Sequence, residues 1–257
     1  MTSKKNIKRK SRLGRNVRNF FSRLKNKSNF RSDFERFSIM AEKSGHRFPI
    51  EWNDRYPCLK DDTGSTKFNG HYLLHTAWAA RKLKDINPKQ HTDISSSLYF
   101  NALVSAFIPI NFYDYRPAKS PLSNLTSDFS DLMQLPFDDN SQESISCMHV
   151  VEHVGLGRYG DKMDPDGDIT AISELKRVTS HGGSILFVVP VGRPRIQFNA
   201  HRIYSYEQII ESFDGFALKE FSLIPDEPND DNLIMDATKE QSDEQNYGCG
   251  CFWFIKG

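Results

Sequence analysis

With 257 residues, 38% hydrophobic and 26% charged, the chain has material for one sizeable globular domain plus an appendage. No apolar run approaches the roughly 20 residues that cross a bilayer, and the N-terminus lacks the apolar centre of a secretory signal, so a membrane-threaded chain is excluded and a cytoplasmic setting is expected. The net charge of +1 hides an asymmetry: residues 1–31 hold twelve Lys or Arg and no acid, and the remainder, with 22 basic and 33 acidic residues, carries about −11.

Residues 1–32 read as a basic amphipathic arm. Leu13, Val17, Phe20, Phe21 and Leu24 recur at helical intervals among Arg12, Arg15, Arg18, Arg23 and Lys25. An apolar stripe between cationic flanks suits an anionic membrane surface, which predicts peripheral contact there. A solvated tail, a targeting peptide and a nucleic-acid arm share this composition, but nothing in the body continues a nucleic-acid surface.

Residues 33–88 read as a helical and irregular cover. Phe34 to Lys43 can form a helix, and His46 to Asn69 is rich in Pro, Gly, Asp and aromatics. Tyr72 to Lys84 predicts a second helix that buries Leu73, Leu74, Ala77, Trp78 and Leu83.

Residues 89–257 alternate short apolar runs with helical stretches. Strands are predicted at His91 to Ile94, Ile110 to Tyr113, Ser144 to Val150, Ser184 to Val189, Phe216 to Ile224 and Cys249 to Ile255. Helices are predicted at Leu98 to Phe107, Asp168 to Thr179 and Tyr206 to Phe213, with Gly182-Gly183 stopping the second of these before its strand. Pro225 to Tyr247, acidic and polar, reads as a long surface loop. The alternation predicts an α/β fold, a mostly parallel sheet with helices on both faces and ligands at the carboxyl ends of its strands.

The four cysteines, Cys58, Cys147, Cys249 and Cys251, match neither a disulfide framework nor a paired zinc spacing, so a reducing compartment and no metal are expected. Asp161, Asp164, Asp166 and Asp168 offer oxygens that Ca²⁺ or Mg²⁺ prefers but lack the register of a calcium loop. A Pro-Gly turn with Asp168 as helix N-cap is the simpler reading.

Where the strand ending near Val151 gives out, the chain runs Glu152-His153-Val154-Gly155-Leu156-Gly157-Arg158-Tyr159-Gly160-Asp161. Three glycines among reactive side chains mark a backbone that bends closely around something.

Four further segments extend the pattern: Leu135-Pro136-Phe137-Asp138-Asp139-Asn140-Ser141, Val150 to Val154, Glu174-Leu175-Lys176-Arg177-Val178, and His181-Gly182-Gly183 before a strand ending at Pro190. In this order and spacing the stretch from Asp93 to Val191 resembles a class I S-adenosylmethionine-dependent methyltransferase, a Rossmann-like fold. Gly155 to Asp161 together with Phe198-Asn199-Ala200-His201-Arg202-Ile203-Tyr204-Ser205 resembles a branch of that superfamily catalogued as a domain of unknown function, whose members often accompany machinery for cell-surface glycans.

The resemblance implies S-adenosylmethionine as cofactor. It places Asp93 beside the methionine portion, Asp114 on the ribose hydroxyls, Asp131 with Leu132 at the adenine, and His149 and Val150 along the cofactor's edge. The usual glycine-rich turn is here Ser95-Ser96-Ser97, which keeps small size and adds hydroxyls but lacks glycine's freedom. Two readings follow: a methyltransferase acting on an oxygen of a sugar or glycan-related acceptor, or a cofactor-silent fold that binds a glycan or protein as a scaffold.

His153 is the candidate general base, since imidazole titrates near neutrality, although a Glu-His pair at this strand end also packs and caps the turn. Arg158, Tyr159, Asp161, His201 and Arg202 supply cations, phenol, carboxylate and imidazole from two segments and suit a polar, anion-bearing acceptor. Internal ion pairs with the acidic turn are the alternative use of the same residues.

Overall fold

A computed structural model describes residues 29–45, 47–66, 68–226 and 233–257. The stretch Leu13 to Leu24 lies outside the described residues. Contacts divide the chain into two compact units, Met1–Lys67 and Phe68–Gly257. In the first, helix α1 spans residues 29–43 and a 3-10 turn spans Trp52–Asp54. Phe34 packs edge-on against Trp52 at 5.0 Å, and the Arg55 guanidinium lies 4.5 Å from the same ring centroid.

The second unit is a seven-stranded sheet in the order β3-β2-β1-β4-β5-β9-β8. Its strands are β1 His91–Ile94, β2 Ile110–Asp114, β3 Leu125–Phe129, β4 Gln142–Met148, β5 Thr179–Val191, β8 Phe216–Ile224 and β9 Gly248–Lys256; β6 Arg195–Gln197 and β7 His201–Ile203 form a separate hairpin. The first five strands in the spatial order are parallel, and β9 runs antiparallel to both β5 and β8. Helices α2 Gly70–Ile86, α3 Leu98–Val104, α4 Gly167–Val178, α5 Tyr206–Ser212 and α6 Lys239–Asp243 complete it.

Both faces of the sheet are covered, so the core is double. Ile185, Phe187, Val189 and Val191 of β5 face a cluster with Ala171, Ile172, Leu175 and Val178 of α4 and Ile209 of α5. Leu186 and Val188 face the other way, toward Trp78, Ala79 and Leu83 of α2 and Phe100 and Val104 of α3. A strand covered on both sides reads as a continuous apolar run, as β5 does.

Several local expectations are corrected. Leu73 is exposed, and α2 instead buries His75 and Lys82 along with Trp78, Ala79 and Leu83. Lys82 is buried because its Nζ meets Glu220 Oε2 of β8 at 2.5 Å, while Trp78 Nε1 donates to Oε1 of the same carboxylate at 2.8 Å. β5 begins at Thr179, directly after α4, and Gly182-Gly183 forms an irregularity inside it: Gln142 pairs with Thr179, and Ser144 already with Ser184. Asp166, not Asp168, is the N-cap of α4. The expected long loop contains α6, started by a capping box between Thr238 and Gln241, and Ile234 pairs with Leu223.

Candidate active site

The parallel strands all deliver their carboxyl ends to one edge of the sheet, and a cleft opens there. Ser95 after β1, Asp114 to Arg116 after β2, Ser130 to Leu132 after β3, and His149, Val150, His153 and Val154 after β4 line it, with Tyr159 and Asp161 from the glycine-rich segment. Six of the nine residues that the family resemblance places at a cofactor, Ser95, Asp114, Asp131, Leu132, His149 and Val150, therefore meet in one place.

Ser95 adopts φ 56, the left-handed conformation that a glycine turn usually supplies. Its N–H and hydroxyl both donate to the Tyr113 carbonyl, at 2.7 and 3.2 Å, offsetting the strain. Ser96 lies below the turn, its N–H donating to Asp93 Oδ1 at 3.0 Å and its Oγ accepting the Met148 N–H at 3.0 Å. Ser97 is the N-cap residue of α3. The three serines thus build the turn, and only Ser95 reaches the cleft.

Asp93 is not at the cleft. It is fully buried, and its carboxylate gathers Ser96 N–H, Asn101 Nδ2 at 2.8 Å and the Ser146 hydroxyl. Burial pushes its pKa up to about 6 even though these donors pull it down. Asp93 organises the turn from behind. Asp114 and Asp131 do reach the cleft, each with one oxygen on a backbone N–H, Arg116 at 2.6 Å and Met133 at 2.9 Å.

The glycine-rich segment folds around Asp161. Its Oδ2 accepts the N–H groups of Gly155 at 2.8 Å and Gly157 at 3.3 Å, and its Oδ1 that of Tyr159 at 3.1 Å. Gly155 has φ 76, and a Cβ there would stand 2.1 Å from the Asp164 carbonyl oxygen. Arg202, 5% exposed, spans the base of the turn: it donates to the carbonyls of Val154 at 2.6 Å and Pro165 at 3.0 Å and pairs with Asp168 at 3.3 Å. Asp161 and Arg202, expected as acceptor contacts, hold the segment together through these bonds, and Asp161 also lines the cleft.

Arg158, Tyr159 and His153 remain at the surface of that scaffold. His153 Nδ1 stands 2.6 Å from the Ala200 carbonyl and donates to it, and Nε2 lies 3.7 Å from Glu152 Oε1. Arg158 Nη1 donates to the same carbonyl at 3.0 Å. The Tyr159 ring lies edge-on to His153 at 5.7 Å, and the guanidinium groups of Arg116 and Arg158 sit 4.7 and 5.0 Å from its centroid. His201 is 6.3 Å from His153 and 4.9 Å from Tyr247, ring to ring; its pKa is lowered by burial against the pull of Glu152.

A group the sequence reading missed adjoins this edge. His71 and His75 on the first turns of α2, Tyr72, Tyr247 and Cys249 surround His149. Burial opposes a charge on His149, but Cys249 and Glu152 outweigh it and raise its pKa. His75 is pushed down to about 3 by burial and by His149. The H-x-x-x-H spacing of His71 and His75, which puts both rings on one helix face, was the available signal.

A family model described as Caenorhabditis protein of unknown function, DUF268, matches residues 123–247, a span containing both Gly155 to Asp161 and Phe198 to Ser205. No curated protein matches the chain. Among solved structures, the chain resembles one from a Haloferax volcanii complex that pairs the Trm112 methyltransferase activator with a candidate methyltransferase: 18% identity, 72% of this chain, 89% of that one, TM-score 0.50. It also resembles a SAM-dependent methyltransferase from Thermotoga maritima at 13% identity, over 72% of this chain and 93% of that one, with TM-score 0.50. These likenesses establish the Rossmann-like methyltransferase fold.

Proposed function

We propose that the protein is an S-adenosylmethionine-dependent methyltransferase that methylates an oxygen of a polar, anion-bearing acceptor of the sugar or glycan class. The observation that carries this is the meeting of Ser95, Asp114, Asp131, Leu132 and His149 in one cleft at the carboxyl ends of the strands. The residues fit the cofactor's chemistry. A left-handed turn permits close approach at β1, a carboxylate after β2 accepts from vicinal hydroxyls, and a carboxylate beside a leucine suits an amino-bearing aromatic base. S-adenosylmethionine, when bound, supplies an electrophilic methyl group.

The protein's part is to position the acceptor and take its proton. His153, on a ring fixed by the Ala200 carbonyl, is the base. Arg158 and Arg116 beside Tyr159 offer planar cations to a phosphate or carboxylate on the acceptor. Residues 1–32 act as the peripheral contact with an anionic membrane; deleting residues 1–31 then abolishes sedimentation with anionic liposomes, and unchanged sedimentation contradicts it.

Calorimetric titration tests the enzyme reading. S-adenosylmethionine binds the folded wild-type chain, and Asp114→Ala weakens binding roughly 10- to 100-fold, the equivalent of losing hydrogen bonds to a charged acceptor. A folded chain that binds no cofactor at millimolar concentration supports the scaffold alternative instead.

A further inference from the structure

Beside the cleft stands a constellation that methyl transfer does not use. α2 brings His71, the end of β4 brings His149 at φ 58, and the start of β9 brings Cys249. One ring nitrogen from each histidine and the cysteine sulfur lie within 4.8 Å of one another. Cys249 Sγ is 3.3 Å from His149 Nε2. A tetrahedral zinc ion, with bonds of about 2.3 Å to sulfur and about 2.0 Å to nitrogen, has a sulfur–nitrogen edge of about 3.6 Å. Two imidazoles and a thiolate form a borderline-soft donor set that selects zinc-class ions over Mg²⁺ or Ca²⁺.

A second observation points the same way. His149 Nδ1 is 2.9 Å from Glu152 Oε1, so Nδ1–H donates to the carboxylate and Nε2 is the nitrogen turned toward Cys249. Metal-bound imidazoles characteristically carry this carboxylate partner on their second nitrogen. The Glu152 side chain is 1% exposed, and its Oε2 has no hydrogen-bond partner among the described residues. Two imidazoles face its Oε1, His149 at 2.9 Å and His153 Nε2 at 3.7 Å, and a dication reached through His149 adds positive charge beside it. The Tyr72 and Tyr247 rings stack on His149 and His71, at 5.6 and 5.5 Å, and limit water at the cluster.

We propose that His71, His149 and Cys249 bind one zinc-class divalent ion, with Glu152 orienting His149. Three protein ligands leave a fourth position for water or an oxygen of a solute, as in sites where zinc acts as a Lewis acid. Because His149 also lines the cleft, the ion stands in its wall.

The test uses the untagged full chain, stripped with chelator, kept reduced with a phosphine and titrated with Co²⁺, then with Zn²⁺ against a chromophoric chelator. The wild type binds one equivalent and develops a cobalt–thiolate charge-transfer band with tetrahedral visible absorption. Cys249→Ser loses the thiolate band, and Glu152→Gln keeps it with affinity roughly 10- to 100-fold weaker. His71→Ala loses more than that, and because His71 is half-buried on the first turn of α2 this variant keeps its fold, as circular dichroism verifies. A folded wild type that takes up no cobalt, or a His71→Ala variant with wild-type affinity and spectrum, overturns the site whether or not Cys249→Ser folds.

Discussion

Asp93 sits in a fully buried chain of hydrogen bonds. His91 Nδ1 and Nε2 contact Ser144 and Ser146 Oγ at 2.8 Å each, and Ser146 donates to Asp93, which also holds Asn101 and the Ser96 N–H. Burial raises the Asp93 pKa from 3.8 to about 6, so folding favours its protonated form. Its contribution to stability is full below about pH 3.8 and is lost as pH rises through about 6, a difference of about 3 kcal/mol at neutral pH.

Asp93→Asn removes the charge and keeps the shape. The amide oxygen accepts from Ser96 and Asn101, and the amide nitrogen donates to Ser146, which then turns its hydroxyl to His91. Burial holds His91 neutral, its pKa lowered to about 3, so His91 can take the tautomer this reversal needs. Urea unfolding at a series of pH values should show the variant near wild type at about pH 4 and more stable by up to about 3 kcal/mol at about pH 7. Because Asp93 lies behind the Ser95 turn, cofactor affinity should stay near wild type. A stability difference that does not change with pH, or a loss of cofactor affinity as large as that of Asp114→Ala, refutes this account of the residue.

Other substitutions separate scaffold from chemistry. Gly155→Ala sets a methyl 2.1 Å from a carbonyl oxygen at φ 76 and should cost more than about 2 kcal/mol, read as a lowered unfolding midpoint; a loss below about 0.5 kcal/mol contradicts the packing. Glu220→Ala leaves the buried Lys82 with only the exposed Asp85 carboxylate at 3.7 Å and should cost about 3 kcal/mol in urea unfolding. Hydrogen bonds from Lys82, Trp78 and Ser222 outweigh burial and lower the Glu220 pKa, so this contribution is lost as pH falls through that lowered value, and a wild-type chain whose stability exceeds that of Glu220→Ala equally at all pH values contradicts it. Arg158→Ala should reduce acceptor turnover about 10- to 100-fold with cofactor affinity unchanged; parallel loss of both points to folding.

The sheet is legible where burial writes a strong pattern. β5 and β9 are apolar on both faces, and α4 and α5 follow a helical period. β3, Leu-Thr-Ser-Asp-Phe, buries only Leu125 at the sheet edge, so its sequence carries almost no strand signal. The strands of the β6–β7 hairpin, three residues each, are too short to show an alternating pattern. At the site, residues one turn apart or at strand ends could be placed from spacing. The role of Asp161 could not, because three backbone N–H groups converge on it only once Gly155 and Gly157 adopt left-handed conformations. His71, His149 and Cys249 come from three elements far apart in the chain, and only the sheet order joins them.

The most direct measurement is the structure of the complex with S-adenosylhomocysteine. The account predicts adenosine between Asp114, Asp131 and Leu132, ribose hydroxyls on Asp114, the amino-acid portion over the Ser95 turn, and the sulfur facing His153 and Tyr159. Ligand bound elsewhere, or a ribose without contact to Asp114, contradicts it.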